Sequence, residues 1–141
     1  MYNNIEKIFQ RYLNTEALKI IMLPSRESFE VELCKTGADI YVINNERSWD
    51  EKYDRPSNHF ILPLSSINTE LNYDLFIVPS MDYSKDTIHQ VQSRLIIPTI
   101  IVDDKNSYQG KEVYGIAKNI PESSPDFLEY WSTIINNYTR I

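Results

Sequence analysis

The chain opens on a helical rhythm. Between Asn3 and Asn14, Ile5, Ile8, Phe9, Tyr12 and Leu13 recur at helix spacing while Glu6, Lys7 and Arg11 fall on the other side, which predicts an amphipathic leading helix. The rhythm then shifts to short apolar runs. Leu18 to Leu23 (LKIIML), closed by Pro24, has the length and near-continuous hydrophobicity of a strand buried on both faces. Ser25 is placed to cap a helix through Arg26, Phe29, Leu33 and Cys34, and Gly37 stands where a helix commonly ends in a left-handed residue. Asp39 to Ile43 (DIYVI) predicts the second strand, Asn44 to Asn58 a long polar loop holding Trp49 and Tyr53, and His59 to Leu62 a short third strand.

Tyr73 to Val78 (YDLFIV) predicts a fourth strand, bounded by Pro79 and followed by a helix from about Ser84 to Leu95. Thr99 to Val102 (TIIV) is the fifth strand, introduced by Pro98. An edge strand is expected around Val113 to Ile116. Ser124, Pro125 and Asp126 supply a cap, a proline at the first helical position and an acidic first turn. The closing helix runs to about Asn137 with Phe127, Tyr130, Trp131, Ile134 and Ile135 as its apolar stripe. Strands that alternate with helices, each strand an apolar β-branched run, predict right-handed βαβ units. The fold class is therefore α/β, a single Rossmann/flavodoxin-like domain with a mainly parallel sheet flanked by helices. The central strands are the first, second, fourth and fifth.

Size and composition narrow the function. A length of 141 residues fits one domain, 1–141, able to bury roughly two-thirds of its unfolded surface without disulfide or metal support. Cys34 is the only cysteine, so no intramolecular disulfide can form, and no Cys/His cluster has zinc-ligand spacing. That fits a reducing, cytoplasmic setting. Met1 to Gln10 lacks the apolar core of a secretory signal, and no run reaches the roughly 18 apolar residues that cross a bilayer. Neither export nor a membrane span is expected. The formal net charge of −6 disfavours nucleic-acid binding, which needs clustered Lys and Arg. Carboxylates and bases are interspersed, the usual solubilising pattern and not that of a DNA mimic.

In an open parallel sheet, ligands bind beyond the carboxyl ends of the strands. The residues that follow those ends define the candidate ligand or partner face: Ser25, Arg26, Asn44, Ser80, Asp82 and Asp103. Arg26 can offer a bidentate donor fork at a helix start; alternatively it is an exposed residue paired to Glu30 one turn on. No glycine-rich dinucleotide or phosphate loop follows the first strand, which argues against tight NAD or ATP binding, and no cofactor is expected. Asp103 with Asp104 can be read as a Mg²⁺ or general-base pair, or as acids that face water and cap the next turn. The second is the simpler reading. His59 and His89 are the only histidines; neither pairs recognisably with a Ser or Cys nucleophile, and both read as structural. Cys34 reads as a small core residue. Asn137-Tyr138-Thr139 matches the glycosylation pattern but has no meaning in a cytoplasmic protein. No catalytic residue or metal ligand is assigned.

Lys19 to Ile43 (KIIMLPSRESFEVELCKTGADIYVI) resembles the opening βαβ unit of glycosyltransferases with the GT-B fold. In one group of them a strand ending L-P-S/T is followed by a helix with Glu, an aromatic and then Lys-Thr-Gly. Those positions here are Leu23, Pro24, Ser25, Glu27, Phe29, Lys35, Thr36 and Gly37. Tyr73 to Val78 and Ile97-Pro98-Thr99-Ile100-Ile101 are similar to later strands of the same N-terminal half, so the likeness covers about residues 18 to 105. The group shows Glu-His after the later strand, where this chain has Asp103 and Asp104. GT-B enzymes hold the nucleotide sugar mainly through a second Rossmann-like domain. The resemblance therefore implies an acceptor-side fold, not catalytic alone, acting as a binding or regulatory module with a sugar-type small molecule or a protein as its partner.

Two further readings compete. A degenerate response-regulator receiver would share the general fold, but Pro24-Ser25 and Pro79-Ser80 stand near the places where acids are needed. A small regulator, such as a phage-type inhibitor of a host protein, would bind through aromatic anchors drawn from Trp49, Tyr53, Tyr83, Tyr108 and Tyr130. Oligomeric state is not legible at this level.

Overall fold

The computed structural model describes residues 18–43, 54–66, 73–103 and 115–139. The predicted leading helix Asn3 to Asn14, the aromatic residues Trp49, Tyr53 and Tyr108, and the site residue Asn44 lie outside the described residues.

Six strands form one sheet: β1 (Lys19–Met22), β2 (Asp39–Ile43), β3 (His59–Leu62), β4 (Leu75–Val78), β5 (Thr99–Val102) and β6 (Gly115–Ala117). Every pairing is parallel, and the order is β3-β2-β1-β4-β5-β6. The expected class, a Rossmann/flavodoxin-like parallel sheet, is what forms. The order is that of the dinucleotide-binding doubly wound sheets. Its sense reverses between β1 and β4, where Ile20 pairs with Ile40 on one side and Leu75 on the other.

Three helices accompany the strands among the described residues: α1 (Glu27–Cys34), α2 (Lys85–Gln92) and α3 (Phe127–Thr139). From β1 to β2 the chain steps one way across the sheet, and from β4 to β5 the other way. Crossovers of one hand must then lay α1 and α2 on opposite faces. The two apolar clusters agree. Phe29, Leu33 and Cys34 of α1 pack with Ile20, Met22, Ile40, Val42 and Ile77, together with Phe127, Trp131 and Ile135 of α3. Ile88 and Val91 of α2 pack with Ile21, Tyr41, Phe60, Phe76 and Ile101. Successive residues along each strand thus alternate between two cores, which is why the runs read as continuously apolar.

The start of α1 differs from the expected pattern and its end follows it. Arg26, not Ser25, holds the N-cap position, and its side chain makes no cap bond. The helix stops at Cys34; Gly37 follows at φ 90°, a conformation that costs other residues strain. At α2, Ser84 does cap, its oxygen accepting from Thr87 N–H at 3.1 Å. The edge strand expected around Val113 to Ile116 is found at Gly115–Ala117.

Cys34 is buried as predicted. Burial first, then the charges of Glu30 and Asp39, push its thiol up from 9.0 to about 12, with Arg55 opposing. The native thiol is therefore expected to resist alkylation until the chain unfolds. A linkage follows. Between pH 9.0 and about 12 the unfolded chain loses this proton while the folded chain keeps it. Stability from this group is thus full below pH 9 and falls as pH rises, by up to about 1.4 kcal/mol per pH unit. Urea midpoints for wild type should decline more steeply than those for Cys34→Ala above pH 9; parallel curves would contradict this.

Candidate functional site

The switch point between β1 and β4 opens at the carboxyl edge of the sheet. The turn after β1 (Pro24, Ser25, Arg26), the turn after β4 (Pro79 to Asp82) and the end of β5 (Asp103) converge there with Asn119, which follows β6. They line a half-open cleft of about 580 Å³. Five of the six predicted rim residues, Ser25, Arg26, Ser80, Asp82 and Asp103, lie around it; Asn44 falls outside the described residues. Met81, between Ser80 and Asp82, lines it too, as does Asn119, which was not anticipated.

Each wall is held by local chemistry. The Tyr83 hydroxyl donates to the Pro24 carbonyl, tying the β4 turn to the β1 turn across the mouth. Ser80 Oγ donates to Asp82 Oδ2 at 3.0 Å and accepts from the Asp82 N–H at 3.0 Å, a side-chain turn that fixes the carboxylate near the rim. Asp103 is buried, and its N–H donates to the Ala117 carbonyl at 2.9 Å, extending the β5–β6 ladder to the cleft. Asp104, its proposed companion in a metal or base pair, lies outside the described residues.

Arg26 corrects one expectation. Its Nη2 sits 2.8 Å from Glu122 Oε1 and not against Glu30, whose side chain turns inward. The guanidinium side chain is 64 % exposed, so this pair is worth under about 1 kcal/mol. Glu122 also accepts from Ser28 Oγ at 3.4 Å, which joins the segment after β6 to the first turn of α1.

His59 and Glu30 are the residues the sequence reading undervalued. Both are fully buried, and His59 Nε2 lies 2.8 Å from Glu30 Oε1. A signal for Glu30 existed: it stands three and four residues before Leu33 and Cys34, on the buried stripe of α1, where a carboxylate requires partners. His89, by contrast, is exposed on α2. Among the described residues no group of three or more His, Cys, Asp or Glu is placed to hold a metal ion, and no helix is long and apolar enough to cross a membrane.

A second, smaller cleft of about 270 Å³ lies at the opposite edge, between Thr36 to Ala38 and Ser132 to Asn136 of α3. It gathers turns that precede strands, not the edge at which doubly wound sheets bind ligands. A search against protein-family models returns no match to the chain, and a search of curated proteins returns none either.

Proposed function

We propose that the domain is a binding module for a sugar-type small molecule, an acceptor-side relative of the GT-B fold, with the β1/β4 cleft as its site. One observation carries the reading. The cleft interleaves apolar surface from Pro24, Pro79, Met81 and Val102 with short polar groups from Ser25, Ser80, Asp82 and Asn119. Sugar rings need that mixture: their C–H faces rest on apolar side chains while hydroxyls donate to carboxylates and amide oxygens. The absence of a glycine-rich turn after β1 argues against a nucleotide at the same place. The lone buried thiol suits a cytoplasmic location. The receiver reading is less well supported, because β3 lies outside β2 and not beside β1.

Calorimetric titration with neutral and amino hexoses tests the proposal. Saturable binding is expected, and Asp82→Ala should weaken it about tenfold or more, the scale of a hydrogen bond to a charged group. Since Asp82 is exposed, the variant's stability should stay within about 0.5 kcal/mol of wild type. The isolated chain should release no nucleoside diphosphate from sugar donors. Absence of saturable sugar binding would overturn the binding reading, and release above a no-protein control would overturn the non-catalytic one.

A further inference from the structure

Behind the cleft wall runs a polar chain, centred on the buried Glu30 and His59, that the proposed site does not itself explain. Glu30 Oε2 accepts from the Ser25 backbone N–H at 2.9 Å and from the Ser25 hydroxyl at 3.2 Å. Glu30 Oε1 meets His59 Nε2 at 2.8 Å. On the far side of the ring, Arg55 Nε lies 3.2 Å from His59 Nδ1, and Arg55 Nη2 lies 3.2 Å from the His59 carbonyl oxygen.

Proton positions follow from the chemistry of these groups. A guanidinium has only donors, so His59 Nδ1 must be the acceptor. The proton of a neutral ring then sits on Nε2 and is donated to Glu30. Among the described residues, Ser25 N–H, the Ser25 hydroxyl and His59 Nε2–H thus converge on the two oxygens of Glu30, the arrangement that suits an ionised carboxylate. Among the described residues, Glu30 Oε2 and the Arg26 carbonyl at 3.3 Å are acceptors in reach of the Ser25 hydroxyl. The charged one binds the proton more strongly. With its proton turned inward, the Ser25 oxygen can meet a ligand only as an acceptor.

We infer that the Arg55–His59–Glu30 chain sets the hydrogen-bond polarity of Ser25, so that the cleft selects ligands presenting hydroxyl or ammonium donors and disfavours phosphate. The inference rests on the cleft's being the ligand site. In dinucleotide-binding sheets the turn after β1 offers backbone N–H groups to a phosphate. Here the Ser25 N–H is directed at an internal carboxylate, and the nearby cation of Arg26 faces Glu122. The carboxylates of Asp82 and Asp103 add two further acceptors to the same cleft. Glucosamine, which carries both hydroxyls and an ammonium, is the matching probe.

Glu30→Gln weakens that hold: a single amide oxygen cannot serve both His59 Nε2–H and the two Ser25 donors, and an uncharged acceptor no longer outcompetes the Arg26 carbonyl or a ligand anion for the serine proton. In amide-shift titrations, wild type should respond at Ser25 and Asp82 to glucosamine and not to inorganic phosphate at equal concentration. The Gln variant should bind glucosamine at least tenfold more weakly and gain a phosphate response. Ser25→Ala, a milder change, should lose glucosamine binding to the same degree and gain nothing for phosphate. Nitrogen-15 shifts of the His59 ring in wild type should report protonated Nε2 and unprotonated Nδ1. Phosphate bound by wild type as tightly as glucosamine, an undiminished Ser25→Ala variant, or a ring protonated at Nδ1 would each overturn the inference while leaving the cleft as the site. If wild type binds no sugar, the proposed function falls, and polarity is judged on the Ser25 amide proton: an upfield move in Glu30→Gln supports it, and an unmoved resonance overturns it.

Discussion

His59→Ala is expected to destabilise the fold by about 3–5 kcal/mol, the cost of leaving a buried carboxylate without its partner. Glu30 and His59 are both fully buried and 2.8 Å apart. Glu30 also holds the Ser25 turn through two bonds, so loss of the imidazole removes one support of the cleft wall as well as a packed ring. Urea denaturation measures the loss. A double-mutant cycle with Glu30→Gln should give a coupling energy above about 1 kcal/mol, because the two side chains share one network. Arg26→Ala is the control: its pair with Glu122 is largely solvated, and its loss should cost under about 1 kcal/mol. Equal effects at His59 and Arg26 would mean that the buried pair contributes no more than a surface one.

Trp131→Ala should cost a similar amount, about 3–5 kcal/mol, for a different reason. The indole is completely buried in α3 and meets Phe29 of α1 edge to face, with ring centroids 5.5 Å apart and planes at 89°. Phe29 meets Phe127 in the same way at 5.6 Å. These three rings join α1 to α3 over one face of the sheet, so truncating Trp131 leaves a cavity between the two helices and the sheet. Trp131→Phe should cost less, since it retains most of the volume and removes an indole N–H that has no hydrogen-bond partner among the described residues. Ile134→Ala, partly buried on the same helix, should cost less still. The order Ala at 131, then Phe at 131, then Ala at 134 is the expected ranking of urea midpoints from lowest to highest.

The strands were readable because burial on two faces leaves a simple mark: four to five apolar, mostly β-branched residues stopped by Pro24, Pro79 or a polar pair. Once strand ends are known, topology brings the turns after β1, β4 and β5 to one edge, and Ser25, Ser80 and Asp103 come together without any motif to announce them. Side-chain pairing was less legible. Arg26 and Glu30 have ideal one-turn spacing, yet Glu30 turns into the core to meet His59, whose distance of 29 residues along the chain no local rule bridges. Arg26 is left to reach Glu122, more remote still in sequence. Helix caps misled for a related reason: Ser25 has the residue type of an N-cap, but the buried carboxylate of Glu30 engages both its N–H and its hydroxyl and holds it one position before the cap.

Ligand entry at the switch point of the sheet can be checked by amide chemical-shift mapping of the wild-type domain against a panel of neutral and amino hexoses. Saturable shifts are expected to cluster on Ser25, Arg26, Ser80, Asp82, Asp103 and Asn119, the turns around the larger cleft. Shifts confined to Thr36, Gly37, Ser132 and Asn136 at the opposite edge would contradict it.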